Sequence, residues 1–264
     1  MKQVINSSWF KAALAGAAGV ALLLSGNLRY YEKTFDKLKK YLLDVLDTDI
    51  FIHTWYNRGL QKRNSGYKLD LSEIIDINHV NDLYEPKRIV VETFNENIKK
   101  SLGCNKYRQQ HTVPIENILS MYRKIELCDK LRLEYEIDND FKYDLVVRCR
   151  PDIVFESPFP SCEINDINNT VWVPNTRNKQ INDHLAFSNG DNMKYYCSLY
   201  SKIDSYYDDG AANPPEVSDN GCCVHAETLL NYHLRKSILS IQETKTSYFI
   251  PHKKSDKIDK YQSI

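Results

Sequence analysis

The stretch Asp144-Leu-Val-Val-Arg-Cys-Arg-Pro-Asp-Ile-Val-Phe155 decides how the chain is read. Leu145, Val146 and Val147 begin an apolar run, and Ile153, Val154 and Phe155 resume it. Between them stand Arg148, Arg150, Pro151 and Asp152, an odd filling for a buried strand. In an open α/β sheet, ligands bind outside the carboxyl ends of the strands. Read that way, "DLVV" is the buried strand and "RCRPD" is where it emerges. Pro151 cannot donate to a central ladder, so regular pairing stops there. Arg148 and Arg150 are two apart and share a face if the strand persists. Paired guanidiniums suit a diphosphate, which takes forked hydrogen bonds. Asp152 beside them suits a metal or a ribose hydroxyl. The plainer alternative is an edge strand with solvated arginines and an aspartate that caps a turn. Cys149 falls on the opposite face and is expected in the core.

Working outward, the same logic recurs at other strand ends. "VALLLSG" is a buried strand, and it leads into "SGNLR", where Gly26 lets a ligand approach the backbone and Asn27 and Arg29 add polar groups. This turn is neither a GxGxxG nor a phosphate-cradling GxxxxGK[ST], so a dinucleotide cofactor is not favoured. A helix follows, with Tyr31, Phe35, Leu38, Leu42 and Leu46 on one face. "DIFIHTW" (Asp49–Trp55) is a second strand that offers His53 and Trp55 at the same edge, and "KRIVVETF" (Lys87–Phe94) is a third. Residues 57–85 read as polar and irregular. Pro114 opens a longer helix, as proline favours a first helical turn, with Ile115, Ile118, Tyr122, Ile125 and Cys128 on its face. It should end before "EIDNDFKYD". "TVWVPN" (Thr170–Asn175) is a strand, "DHLAFSN" follows, and a helix runs from Asp191 to about Tyr207. "HAETLLNYHLRKSI" is another helix and "TSYFIP" a last strand. Strand–helix alternation with short apolar strands predicts an α/β sandwich, Rossmann-like, with a mainly parallel central sheet flanked by helices.

Composition bounds the function. The chain has 264 residues, with 35 Lys+Arg against 35 Asp+Glu and a net charge of zero, so no clustered basic surface argues for nucleic acid. Seven cysteines, an odd number with no CxxC, read as reduced thiols of a cytoplasmic protein rather than a disulfide framework. Cys222, Cys223 and His225 fit no common zinc spacing. The run Ala12–Leu24 is apolar but short for a membrane span. Residues 1–18 are expected to be a leader or extension outside the fold, with residues 19–252 forming one domain and 253–264 a disordered polar tail. The alternative is a membrane-anchored or secretory chain, with residues 9–24 as the anchor or signal core.

The segments "VALLLSGNLRYYEKTF", "DIFIHTWYN", "YDLVVRCRPDIVF", "NDHLAFSNGDNMKYYCSLY" and "HAETLLNYHL", in this order, resemble glycosyltransferase-like proteins of large DNA viruses and bacterial surface-polysaccharide loci. The resemblance spans residues 19 to about 250. It implies a GT-A fold, a nucleotide-sugar donor, and a glycan or protein acceptor. It puts "RCRPD" in the place of the metal-binding DxD, with Asp152 as a ligand for Mn or Mg. The sequence departs from that pattern, because Arg150 stands where the first aspartate would be. The donor or acceptor would then meet Gly26, Asn27, Arg29, His53, Trp55, Arg148, Arg150 and His225. Sugar transfer needs a carboxylate to take the acceptor proton. The candidates are Asp183, expected after a strand and before a helix, and Glu227 at a helix start. Each also has a structural reading, Asp183 as a turn cap and Glu227 as a first-turn acid favoured by the helix dipole. A catalytically inert domain of the same fold is the competing expectation.

Overall fold

The computed structural model describes residues 19–58, 60–61, 69–70, 72–107, 113–160, 167–177, 180–208 and 225–251. The expected leader (residues 1–18), the tail (253–264), and Cys162, Cys222 and Cys223 lie outside them. Seven strands make the central sheet: β1 (Val20–Gly26), β2 (Thr48–Trp55), β3 (Arg88–Glu92), β4 (Leu145–Cys149), β5 (Thr170–Val173), β6 (Leu185–Ser188) and β7 (Ser240–Glu243). Their spatial order is β3-β2-β1-β4-β6-β5-β7. All pairings are parallel except those of β6, which runs against both β4 and β5.

The two faces of β1 show why the sheet is buried. Val20, Leu22 and Leu24 pack on one face with the helix α1 (Tyr31–Leu38), the widened π-helical turn Lys39–Leu43 that continues it, and α2 (Ile77–Tyr84). Ala21 and Leu23 pack on the other with α4 (Ile115–Asn139), α5 (Gly190–Cys197) and α7 (Ala226–Arg235). Two short helices, α3 (Glu96–Ser101) and α6 (Ile203–Asp208), complete the helical layers. A strand covered on both faces reads as a continuous apolar run, as β1 and β4 do.

The apolar run Ala12–Leu24 is divided by this fold. Val20–Leu24 are buried in the sheet, so a membrane span reaching to residue 24 would remove β1 from the centre of the domain. Among the described residues, no helix is long and apolar enough to cross a membrane.

Several elements differ from the sequence reading. The helix expected over Tyr31–Leu46 keeps α geometry only to Leu38, though Leu42 and Leu46 are still fully buried. The polar stretch 57–85 contains α2, capped by the Asp76 carboxylate, which accepts from the Asn78 and His79 amides; its two buried residues, Val80 and Tyr84, were too few to register as a period. The helix expected from Asp191 to Tyr207 breaks after Cys197. The "TSYFIP" strand is a two-residue ladder, Tyr248–Phe249 against Val154–Phe155, apart from the main sheet. The strand that does join the sheet is β7, whose exposed sequence SIQE gives little apolar signal. The long helix α4 runs through "EIDN" to Asn139, and Asp140 ends it in a left-handed conformation.

Candidate functional site

The strand order reverses at β1. The chain passes from β1 to β2 on one side, and β4 is later added on the other. Connections leaving neighbouring strands in opposite directions open a crevice at their carboxyl ends. A cavity of about 1260 Å³ lies there. Its walls include the β1–α1 turn (Ser25, Gly26, Asn27, Arg29, Tyr30), the β4 exit (Arg148, Arg150, Asp152) and Asn182–His184, with His225–Glu227 and Thr246–Pro251 completing the polar side. Trp55, Phe94, Val113, Ile118 and Met121 form an apolar part of the same wall.

The β1–α1 turn is bent by two left-handed residues, Gly26 (φ +101°) and Tyr30 (φ 53°). No atom lies within 4 Å of where a Gly26 Cβ would stand, so glycine serves backbone conformation and leaves open space before the strand end. Asn27 Nδ2 donates to the Asn57 carbonyl at 3.0 Å, tying this turn to the segment after β2. Burial pushes the Arg29 guanidinium below its ordinary value, and the Asp152 charge opposes that. Arg29 Nε is buried without a partner.

The β4 exit carries two arginines with different surroundings. Arg150 Nε and Nη2 fork onto Asp152 Oδ1 and Oδ2 at 2.9 and 2.8 Å. Asp152 is buried, which would raise its carboxyl, but Arg150 and then Arg29 hold it below the usual carboxylate range. The Pro151 carbonyl accepts from Thr34 Oγ1 at 3.0 Å, so α1 fixes this turn. Arg148 is 1% exposed. Its Nη1 donates to the Asp183 carbonyl, while Nε and Nη2 make no well-formed hydrogen bond; the Tyr196 hydroxyl, itself buried and unpaired, lies beside the guanidinium.

Asp183 follows a strand as expected, the two-residue Gln180–Ile181, but a strand rather than a helix comes next. It stands just ahead of β6, whose antiparallel course brings its start (Leu185) beside the end of β4 (Cys149). The Arg150 amide donates to the His184 carbonyl at 3.0 Å, which extends that pairing. This reversal delivers a carboxylate to the strand ends from the C-terminal half of the sheet. His184 Nε2 stands 3.8 Å from Asp183 Oδ1 and its Nδ1 3.3 Å from the Tyr248 hydroxyl. Burial, and then Arg150, lower His184 to about 4.

Glu227 lies in the first turn of α7, and Tyr122 on α4 anchors that turn through a 2.7 Å bond from its hydroxyl to the Ala226 carbonyl. Burial raises the Glu227 carboxyl, and the Asp183 charge raises it further. A carboxyl raised by burial and by a second acid beside it is a recurrent feature of acid–base sites.

The cavity thus brings together Gly26, Asn27, Arg29, Trp55, Arg148, Arg150, Asp152, Asp183, His225 and Glu227. His53 is not among its lining residues and is corrected to a supporting position. Burial, and then the Lys124 charge, lower it to about 3. Its Nδ1 faces the buried Lys124 Nζ at 3.1 Å, which also donates to Glu92 at 2.6 Å and lies 3.5 Å over the Trp55 ring. Residue alternation explains the difference: Trp55 and His53 share a strand face, but only the terminal residue reaches the strand end. The sequence reading placed Ser25 in the polar turn SGNLR without giving it a role of its own, and named neither Asn182 nor Tyr248. Ser25, a hydroxyl closing an apolar strand, was the one legible signal.

A divalent cation at Asp152, as the resemblance implies, would have to displace Arg150. Both Asp152 oxygens accept from Arg150, and among the described residues no group of three His, Cys, Asp or Glu side chains could hold a metal ion.

Fold and site define a class: a mixed α/β protein with a cleft lined by polar groups at the switch point of a mostly parallel sheet. Residues 16–213, about three quarters of the chain, match the family described as "Domain of unknown function (DUF7796)", and the chain belongs to that family. The match covers the β1–α1 turn, the β4 exit and Asp183, and stops short of Glu227. No curated protein matches the chain.

Proposed function

We propose that the protein is a nucleotide-sugar-dependent glycosyltransferase of GT-A type, acting on a hydroxyl of a glycan or protein acceptor. The observation that carries this reading is the pairing, in one cavity, of a buried arginine with two nitrogens lacking a well-formed hydrogen bond and two carboxylates, Asp183 and Glu227, the second of them raised. Sugar transfer needs both. The C1–O bond to the donor diphosphate breaks, and its electron pair leaves on the phosphate oxygen, beside Arg148 and Arg29. The acceptor oxygen bonds to C1 and its proton passes to a carboxylate. Glu227 suits that role, because a carboxyl raised by burial, and then by the Asp183 charge, keeps more basicity near neutral pH; Asp183 lines the same cavity. A cavity of about 1260 Å³ exceeds the roughly 300–1,000 Å³ of a usual small-ligand site, which accommodates donor and acceptor together.

The Arg150–Asp152 fork, standing where the resemblance places a metal-binding acid pair, favours a second reading: an inert domain of this fold that binds a sugar, nucleotide or protein partner. Thermal denaturation against a panel of nucleotide sugars, followed by assay of donor hydrolysis and of transfer to glycan acceptors, separates the two. A raised melting temperature with donor turnover supports the transferase. A raised melting temperature with no turnover supports the inert domain. No shift with any nucleotide sugar overturns both nucleotide-based readings.

A further inference from the structure

We infer that this site seats a diphosphate through arginine and without a divalent cation, with Arg29 and Arg148 supplying the positive charge. The identity of the anion as a donor diphosphate rests on the transferase reading; the seat itself rests on unfilled hydrogen bonds. Four buried donor atoms on three cavity-lining residues lack partners: Arg148 Nε and Nη2, Arg29 Nε and Ser25 Oγ. A buried donor left unpaired is costly, and more so on a charged group. Such a cluster is accounted for when a ligand completes it. The acceptor must be strong and must carry several oxygens, because the donors come from both β1 and β4. A diphosphate meets both conditions, since arginine forks match phosphate oxygens.

The alternative counter-charge is already committed. Asp152, the acid whose charge acts on Arg29, has both oxygens engaged by Arg150. That closed pair is neutral overall and leaves Arg29 and Arg148 as the positive charge at the β1 and β4 ends of a cavity that Asp183, Glu227 and Glu116 also line. The Gly26 backbone, with open space where a Cβ would stand, lets the ligand approach the strand end.

The test is titration calorimetry on the full chain with uridine, guanosine, adenosine, cytidine and thymidine diphosphates and with inorganic pyrophosphate, each in EDTA and in manganese. At least one nucleoside diphosphate is expected to bind in EDTA with an affinity within about threefold of that in manganese. Arg148→Met and Arg29→Ala should each weaken it about 10- to 100-fold in EDTA. Arg29 is half-buried in the β1–α1 turn, outside the sheet, so Arg29→Ala keeps the test valid if Arg148→Met fails to fold. Binding that appears only with manganese, or that is unchanged in Arg29→Ala, overturns the inference and leaves the transferase reading standing. Pyrophosphate binding in EDTA, lost in Arg29→Ala, without binding of any nucleoside diphosphate supports the anion seat and overturns the nucleotide-sugar reading. Binding of none of these probes overturns both.

Discussion

Arg132 on α4 and Arg148 on β4 are equally buried, each 1% exposed, yet they are partnered in opposite ways. Arg132 donates through Nε to Asp129 at 2.7 Å and through Nη1 to Glu136 at 2.6 Å. Its Nη2 reaches the Gly190 carbonyl at 3.5 Å, and Glu136 also accepts from the Tyr143 amide at 2.9 Å. The cluster ties α4 to the start of β4 and to α5, and it leaves no capacity for a ligand. Arg148 has one carbonyl partner, two idle nitrogens and a cavity in front of it. Burial alone therefore says little about what a charged side chain does. A closed set of partners makes a strut, and an open set facing a cavity makes a seat.

The largest expected effect is at the strut. Arg132→Ala leaves Asp129 and Glu136 buried without their counter-charge and should destabilise the fold by about 3–5 kcal/mol, measured by urea denaturation. A loss under about 1 kcal/mol, no more than a single neutral hydrogen bond is worth, would break the contrast.

Acid should weaken the closed region next. His233 is fully buried on α7, with Nδ1 on the Tyr206 hydroxyl and Nε2 on the Tyr195 carbonyl oxygen. Burial lowers it to about 4. Because the folded value is depressed, the unfolded chain takes up a proton below about pH 6.5 that the folded chain refuses. Stability contributed by this residue is thus complete above about pH 6.5 and falls toward pH 4, by up to about 1.4 kcal/mol per pH unit. Urea denaturation from pH 7 to 4 checks this, and His233→Gln should flatten the profile. His184, in the open site, is expected to behave differently. A bound pyrophosphate would offset the Arg150 charge that helps to lower it, so its imidazole should titrate higher by NMR while His233 does not move.

Glu227→Gln sharpens the comparison from the catalytic side. It should cut the transfer rate by about 100-fold or more, the range for a lost general base, with donor affinity nearly unchanged. Equal loss of affinity would assign Glu227 to binding instead.

The smallest expected effect on stability is at the seat. Arg148→Met removes one bond to a carbonyl but also two idle buried donors, so unfolding free energy should change by no more than about 1 kcal/mol. A loss as large as that of Arg132→Ala would make Arg148 a second strut and remove the reason to expect an anion there.

Much of the sheet could be read before the structure was known. β1, β2 and β4 carry unbroken apolar runs (Val20–Leu24, Ile50–Ile52 and Leu145–Val147) because helices cover both faces, and the polar groups that end each run stand out against that background. Polar residues at a strand end are legible for the same reason, so Gly26, Arg29, Arg148, Arg150 and Trp55 could be named from local pattern. β7 was not legible, because an exposed edge strand has no apolar face to advertise. The break after Cys197 was equally hidden, since apolar spacing continues through Leu199, Ile203 and Tyr206.

The sequence by itself determined which strands are central and that polar chemistry gathers at their exits, since strand burial and strand termination are local properties of residue type. Only the tertiary structure decided how those groups are partnered. That β6 runs backward and brings Asp183 to the end of β4, that Arg150 closes on Asp152 while Arg148 stays open, and that His53 turns to Lys124 all depend on contacts between segments distant in sequence. Residue type sets what a side chain is able to do, and the neighbours that packing supplies set which of those capacities is left for a ligand.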